Sequence, residues 1–304
     1  MKKLFVIFLS VSAIFLNGCS RKSSDSQPLR IGLMPTMDSV AIATAYELGL
    51  FEKHSVDIEL IPFSSARDRD SAFISGNLDG ATVDLIAVGL YNEAGISARA
   101  TSVTTAHFSL IAQPGFDSLS SLKDSRVMIS HNTAIEFVLD QILEFHNLPT
   151  DHIRKYEVGN IPSRFEMVRV GQAESALISE PFATMAAADG LSIITDTFEL
   201  GFNPFVLAFT LDVIENRFDE LQAFYKAYNE AVDFLNNNPI DEHLDLIINL
   251  IGFPNEVVNY IELPHFLNSE SPRMDVVETA RYWLIKNGLI SNEMAIEDFV
   301  FDVD

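Results

Sequence analysis

An approximate internal duplication constrains this sequence more than any other feature. Gly76 opens a segment that runs Gly, polar, apolar, acidic, small, Ala, and Gly171 opens a second segment of the same pattern, 95 residues later. Each segment follows a helix-like stretch and precedes a short apolar run and a second helical stretch. These helical stretches end at Gly95 and Gly190, which are again 95 residues apart. Two similar folding units therefore follow each other along the chain.

Within each unit, short apolar runs alternate with stretches of helical periodicity. Both units show the order β-α-β-α-β-α, which predicts parallel strands with helices on both faces of each sheet. The segments Thr133 to Glu136 and Ser163 to Glu166 fit the capping-box pattern and predict two helix starts. The corresponding pairs of segments are 30–34 and 126–130 for the first strand, 40–48 and 134–146 for the first helix, and 56–61 and 153–158 for the second strand.

The C-terminal third has helical periodicity alone. Apolar residues recur every three or four positions from Leu221 to Leu235, and Pro239 closes this predicted helix. A second predicted helix runs from Met274 to Leu284 and contains Trp283, the single tryptophan. Aromatic residues at this spacing favour a packed core over a cofactor site. We expect the region to return to the first unit and pack on it.

The N-terminal residues have the pattern of a bacterial lipoprotein signal. Lys2 and Lys3 precede an apolar run from Leu4 to Leu16, which is too short to span a bilayer comfortably. The run ends in a sequence that resembles the lipobox, and its last residue, Cys19, is the only cysteine. We predict a signal peptide over residues 1–19, a lipid on Cys19 and a flexible tether over residues 20–28. The globular body then lies outside the cytoplasm, anchored to a bacterial membrane.

Composition excludes several classes of function. The formal net charge of −23 argues against nucleic-acid binding, which needs a basic surface. The chain has no metal-binding spacing of Cys or His, no phosphate-binding glycine loop and no nucleophile elbow. We therefore expect no metal, no cofactor and no enzymatic activity.

Several segments of the chain together carry a resemblance to a known family. They are Arg30 to Gly32, Tyr46-Glu47-Leu48-Gly49-Leu50-Phe51-Glu52-Lys53, Val56-Asp57-Ile58-Glu59-Leu60, Phe63-Ser64-Ser65, Ser75-Gly76-Asn77-Leu78-Asp79, Leu119 to Val127, and Gly171 to Phe182. These segments are similar to those of the sulfonate, taurine, nitrate and thiamine-precursor binding proteins of ABC importers. In the second lobe the resemblance departs at Asp124 or Ser125, where the family usually has glycine.

The resemblance implies a type II periplasmic-binding architecture: two doubly wound α/β lobes joined by a two-strand hinge, with the helical C-terminal region packed on lobe one. Lobe one is expected to comprise residues 29–108 and 203–304, and lobe two residues 109–202. The crossings are expected near residues 107–113 and 200–205. The lobes would close on a ligand by bending at these crossings.

Ligand-binding candidates follow from strand ends, because helix N-termini point free N–H groups into the crevice there. Ser65 and Thr133 fit equally well as helix caps, as does Asp38. His107 and His131 could instead be surface or core residues, whereas a carboxylate at Glu180 needs a partner. The full candidate set is Met34, Pro35, Thr36, Asp38, Ser64, Ser65, Asp84, Leu85, His107, His131, Asn132, Thr133 and Glu180.

The predicted function is capture of a small organic nutrient and its delivery to an ABC permease and its ATPase. Since the candidate set contains no Arg or Lys, it favours a thiamine-precursor pyrimidine or a similar amine-bearing heterocycle. A sulfonate- or nitrate-type anion is the alternative ligand. A lipid-anchored sensor or adhesin without transport, or an enzyme on the same fold, are the alternatives from other classes.

Overall fold

The structure of the chain is a computed structural model that describes residues 27–201, 203–240 and 243–303. The predicted signal peptide, Cys19 and most of the predicted tether lie outside the described residues. Within the described ranges, no helix combines the length and the apolar character that a membrane crossing requires.

Ten strands form two five-stranded sheets. The strands are β1 (Leu29–Leu33), β2 (Ile58–Pro62), β3 (Gly80–Asp84), β4 (Ala98–Val103), β5 (Phe108–Ala112), β6 (Arg126–Ile129), β7 (Arg154–Glu157), β8 (Ser175–Ser179), β9 (Ser192–Asp196) and β10 (Phe205–Thr210). The first sheet has the order β2-β1-β3-β10-β4 and the second has the order β7-β6-β8-β5-β9. The two-lobed α/β fold predicted from the sequence is confirmed.

The duplication is visible in the topology, because the two sheets match strand for strand. In the first sheet β1 pairs in parallel with β2 and β3, and in the second sheet β6 pairs in parallel with β7 and β8. The fourth strand of each sheet is antiparallel to both neighbours. That strand comes from the other lobe: β5 follows β4, and β10 follows β9.

The chain passes between the sheets twice. The first passage, residues 104–107, joins β4 to β5, and the second, residues 197–204, joins β9 to β10. The resemblance placed the first crossing near residues 107–113, but in the structure it ends where that range begins. Residues 108–112 already pair with β8 in the second sheet.

Twelve α-helices surround the sheets. They are α1 (Val40–Glu47), α2 (Leu50–Lys53), α3 (Ala66–Ile74), α4 (Leu85–Glu93), α5 (Ala134–Phe145), α6 (Ile161–Arg169), α7 (Phe182–Ala188), α8 (Thr197–Leu200), α9 (Leu211–Asn216), α10 (Phe218–Asn237), α11 (Leu244–Ile251) and α12 (Met274–Lys286), counted over the described residues. The predicted start of α6 at Ser163 is wrong. Asn160 caps this helix by accepting a hydrogen bond from the Ser163 N–H, and Pro162 occupies the first turn, where it needs no donor.

The C-terminal helices pack on lobe one, as the apolar periodicity predicted. Phe224 of α10 stacks on Phe51 of α2 at 5.3 Å between ring centroids. Helix α12 packs on α4, and Trp283 is buried in this layer. The aromatic residues therefore belong to the core of lobe one.

The two lobes also contact each other on either side of the space between them. On one side the Ile161 N–H donates to the Ser64 carbonyl at 3.1 Å, and the Asn160 amide donates to the Ser64 hydroxyl at 2.9 Å. On the other side the Trp283 indole N–H of α12 donates to Asp140 of α5 at 3.0 Å. The structure therefore has the lobes closed on each other.

The contact between α4 and α12 generates a prediction about stability. A Cβ atom at Gly89 would lie 2.5 Å from Leu284 Cδ1 and 3.0 Å from Phe299 Cε1. We expect Gly89→Ala to lower the free energy of unfolding by about 1–3 kcal/mol through overpacking, against a helix-propensity gain of about 1 kcal/mol. Urea unfolding measures the change. Glu278→Ala on the exposed face of α12 is the control, and a Gly89→Ala variant as stable as the parent would contradict the packing described here.

Candidate functional site

A cleft that is partly open to solvent lies between the lobes. It is formed where β1, β3 and β6 end and where β5 and β10 begin. The lining residues are Met34, Thr36, Asp38, Ala66, Arg69, Thr82, Val83, Asp84, Phe108, Ser130, Thr133, Ala134, Ile135, Gly159, Ile161, Arg164 and Phe205. The cleft thus lies at the carboxyl ends of parallel strands, as expected for open α/β sheets.

The floor of the cleft is aromatic. Phe108 and Phe205 stack at 4.3 Å between ring centroids, and each is the first residue of an exchanged strand. Met34, Ile135 and Ile161 add apolar surface to the walls. A ligand in the cleft would therefore rest part of its body on an apolar surface that both lobes share.

Arg69 of α3 is buried in the lobe-one wall, and carboxylates neutralise it. Its Nε and Nη2 atoms donate to Asp70 at 2.9 and 2.7 Å, and Nη2 lies 3.9 Å from Asp84. Its Nη1 atom donates to the Thr82 carbonyl. Burial lowers the pKa of Arg69, but Asp70, Tyr91 and Asp84 together outweigh this effect and leave the pKa above its usual value. The guanidinium group is therefore held within lobe one.

Arg164 of α6 is buried in the opposite wall without such neutralisation. Only 1% of its surface is exposed; Nη1 donates to the Val158 carbonyl at 3.2 Å, whereas Nε has no hydrogen-bond partner among the described residues. Burial lowers the pKa of Arg164 to about 10, although the charge of Glu157 opposes this. A buried cation that lacks a paired anion is costly, so its presence in a cleft suggests a binding role.

Two buried carboxylates face the cleft from lobe one. Burial raises the pKa of Asp38 to about 6, opposed by the hydrogen bond from the Thr36 hydroxyl and by Arg69. Burial also raises the pKa of Asp84, opposed mainly by Arg69. Asp84 accepts from the Ala87 N–H at the start of α4, and the Ala134 N–H of lobe two further favours its charged form.

The structure places five of the predicted ligand-binding residues on the cleft surface: Met34, Thr36, Asp38, Asp84 and Thr133. Pro35 and Leu85 are buried immediately beside it. Ser64 and Ser65 lie at the rim, where Ser64 contacts lobe two and Ser65 caps α3. The contact of any of these residues with a ligand stays a prediction.

His131 and Asn132 are engaged with local carboxylates. The His131 backbone N–H donates to Glu157 at 2.6 Å, and its Nδ1 atom lies 3.2 Å from Glu136. The Asn132 backbone N–H donates to Glu136 at 2.9 Å. These two predicted ligand residues therefore hold the loop between β6 and α5, and they are not among the residues that line the cleft.

His107 and Glu180 lie together at the hinge and do not line the cleft either. Glu180 accepts from the Thr184 N–H in the first turn of α7 at 3.0 Å, and its Oε1 atom is 4.0 Å from His107 Nδ1. His107 Nε2 is 3.7 Å from Asp196, and its ring packs on Phe198. Glu180 thus has the partners that a carboxylate at a strand end needs.

The candidate set from the sequence contains no Arg or Lys, whereas the structure places both Arg69 and Arg164 in the lining of the cleft. The sequence does contain a signal for Arg164. Ile161, Phe165 and Val168 form an apolar helix face in the pattern i, i+4, i+7, and Arg164 at i+3 interrupts it. An arginine within an apolar face must be buried or must distort the packing.

The unpaired guanidinium group generates a prediction about the ligand-free protein. Because its folded-state pKa is lowered, the charged form weakens folding at every pH below about 10. We expect Arg164→Met to raise the free energy of unfolding at pH 7 by about 1–3 kcal/mol. Urea unfolding measures this, with Arg169→Met on the exposed side of the same helix as the control. A loss of stability in Arg164→Met would show instead that the guanidinium group supports the fold.

Asp38 generates a prediction about pH. Its folded-state pKa of about 6 is above the ordinary value of 3.8, so its contribution to stability is fully present below pH 3.8 and is lost as the pH rises through 6. We expect Asp38→Asn to be more stable than the parent at pH 8 by about 1–3 kcal/mol, with the gain vanishing near pH 4. Paired unfolding curves across this range, with Asp117→Asn as an exposed control, measure it. A gain independent of pH would contradict the assignment to Asp38.

Comparison with known proteins agrees with this architecture. The sequence model of the NMT1-like family matches residues 22–113, which include the strands β1 to β5. A protein of Brucella abortus that is provisionally named a binding protein is 26% identical over 178 residues, which are 57% of this chain and 54% of that protein. The chain thus spans about half the length of the curated relatives it matches first. A protein of Brachyspira hyodysenteriae, provisionally named a periplasmic binding protein of an ABC transporter, is 21% identical over 78% of this chain and 75% of its own length.

Among solved structures, the periplasmic aliphatic sulphonate binding protein SsuA from Escherichia coli superimposes with a TM-score of 0.75 at 18% sequence identity. The superposition covers 90% of this chain and 97% of SsuA. The resemblance predicted from the sequence is thereby confirmed. The chain has the fold of the periplasmic binding proteins, and residues 22–113 match the sequence model of the NMT1-like family.

Proposed function

We propose that this chain is the solute-binding component of an ABC importer and that it captures a small molecule in the cleft between its lobes. The observation that carries the proposal is the unpaired, buried Arg164 in the wall of a closed cleft. A buried cation without an anion weakens the fold, but in a cleft between two lobes it can bind a polar solute.

In this proposal the permease recognises the closed form of the two lobes. The main-chain bond between Ser64 and Ile161 and the bond between Trp283 and Asp140 join the two lobes in this structure. A ligand that contacts both walls favours this closed state, and bending of the two passages between the sheets permits the open one. A permease that docks on the closed form, and its ATPase, can thus respond to ligand.

The N-terminal sequence and the relatives support an extracytoplasmic location of the chain. Cys19 in its lipobox-like context would anchor the chain by a lipid to a bacterial membrane, with the lobes on the extracytoplasmic side. The name of the Brachyspira hyodysenteriae relative supports a place outside the cytoplasm.

Two ligand classes fit different walls of the cleft. Arg164 favours an acidic group, and the name of SsuA from Escherichia coli supports an organic sulfonate as one such ligand. Asp38, a buried carboxylate on the lobe-one wall, favours the amine-bearing heterocycle that the sequence suggested. We place the acidic group first, because Arg164 has no anion within ion-pair distance and its Nε has no hydrogen-bond partner among the described residues, whereas Asp38 already accepts a hydrogen bond from Thr36.

The experiment uses two readouts on the purified protein. Sulfonates, nitrate, pyrimidines, flavins and amino acids are screened by thermal shift and by the fluorescence of Trp283, which lies at the contact between the lobes. We expect one class to raise the thermal midpoint and to change the fluorescence, since a ligand at a hundred times its Kd adds about 2.7 kcal/mol of stability.

Trp283→Phe is the control for the fluorescence readout. It should keep the thermal shift and lose the fluorescence change. A protein whose midpoint and fluorescence respond to no member of the screen would contradict solute capture and would favour the sensor or adhesin.

A further inference from the structure

The duplication allows the two walls of the cleft to be compared residue by residue. Arg69 and Arg164 are 95 residues apart, the same offset that relates Gly76 to Gly171. They occupy equivalent positions on α3 and α6, both are buried, and both line the cleft. The protein therefore has one buried guanidinium group in each lobe, at the same place in the repeated unit.

The surroundings of the two arginines differ in charge. In lobe one, Arg69 has two carboxylates and a phenol around it, and the Tyr91 hydroxyl donates to Asp70. In lobe two, the equivalent positions carry no charge. The pairs at the 95-residue offset are Asp70 and Phe165, Asp84 and Ser179, and Tyr91 and Ala186.

Two polar atoms in lobe two lack partners as a result. Arg164 Nε and Ser179 Oγ are both buried without a hydrogen-bond partner among the described residues, and each side chain is 1% exposed. Asp84 and Ser179 are the last residues of the equivalent strands β3 and β8. Arg164 lines the cleft, and Ser179 pairs in the sheet with Phe108, which lines it as well. Burial of unsatisfied polar groups lowers stability, so a ligand that satisfies these atoms would stabilise the protein.

Glu157, the carboxylate that attracts Arg164, contacts other groups. Glu157 attracts Arg164, but it is partly exposed, accepts from the His131 N–H at 2.6 Å and lies 3.7 Å from Arg67 of lobe one. It forms no ion pair within 4 Å with Arg164. Glu157 therefore does not substitute for the carboxylates that neutralise Arg69.

We infer that the acidic group of the solute occupies, in lobe two, the place that the Asp70 and Asp84 carboxylates hold in lobe one. It accepts from Arg164 and from the Ser179 hydroxyl, and it is a single carboxylate or sulfonate group on a small organic molecule. This inference rests on the proposed function and names the class of its ligand. In lobe one the anion that pairs with the buried arginine belongs to the protein itself, whereas in lobe two the solute provides it.

The test introduces a carboxylate into lobe two at residue 179. Ser179→Asp should give lobe two an internal partner for Arg164, which raises the thermal midpoint of the ligand-free protein and blocks binding. Ser179→Asn has the same size without the charge and is the matched control. Arg164→Gln removes the cation. It tests the inference through binding alone if neither variant at residue 179 folds.

The probes are ethanesulfonate and propionate, with 1-propanol as the neutral counterpart, titrated by calorimetry. We expect one or both acids to bind the parent protein, the neutral probe not to bind, and the preference between the acids to identify the head group. Arg164→Gln and Ser179→Asp should each weaken binding of the acid by at least about thirtyfold, the loss typical of breaking a buried charge pair, whereas Ser179→Asn should retain most of the affinity.

Three results would overturn the inference. One is binding of an acid that Arg164→Gln leaves unchanged, and a second is a Ser179→Asp protein that is less stable than Ser179→Asn. The third is a parent protein that binds neither acid. In the third case the screen of Trp283 fluorescence distinguishes solute capture from binding of an acidic group. A response to an amine or a neutral compound supports solute capture and contradicts the acidic group. No response to any compound contradicts both.

Discussion

Each sheet depends on a central strand that arrives from the other lobe. β10 lies between β3 and β4 and forms main-chain hydrogen bonds to both, and β5 does the same between β8 and β9. Neither strand can leave its sheet without breaking two ladders, so the lobes cannot separate while they remain folded. Movement is confined to the short passages between the sheets. Because Phe108 and Phe205 begin the exchanged strands, the floor of the cleft is fixed to the same two elements that carry the hinge.

The two lobes share a backbone plan but use it differently. In lobe one the buried arginine is part of a closed network of Asp70, Asp84 and Tyr91, which stabilises the wall of the cleft. In lobe two the equivalent Arg164 has a carbonyl partner and no anion within ion-pair distance. Functional sites commonly violate the rule that buried charges are paired, and the rest of the fold compensates for the loss of stability.

Much of the fold could be predicted from the sequence, because the periodicity of apolar residues reflects burial directly. The repeat, the strand order within each unit and the C-terminal helices all followed from spacing, and Ser65 and Thr133 proved to be helix caps. The start of α6 was misplaced because Asn160 and Pro162 outweigh the Ser163 pattern. Such competition between neighbouring caps is decided by local geometry.

The charged residues of the cleft were harder to predict. Strand ends suggested the polar residues of the loops, but Arg69 and Arg164 lie on helices, and their burial depends on how each helix rotates against its sheet. His131 and Glu180 were reasonable candidates by position, yet Glu157, Glu136 and the first turn of α7 provide them with local partners. A single sequence does not distinguish a polar group that faces a ligand from one that faces a neighbouring loop.

The strand exchange has a consequence for the order in which the protein can fold during synthesis. All strands of the second sheet lie within one continuous stretch, residues 108–196, so that sheet can be completed as soon as this stretch has left the ribosome. The first sheet begins earlier but lacks its fourth strand until residues 205–210 emerge, about a hundred residues after β4. Lobe one, although synthesised first, therefore holds an unfilled gap between β3 and β4 while lobe two folds. The lobe that finishes second is the one on which all the C-terminal helices then pack.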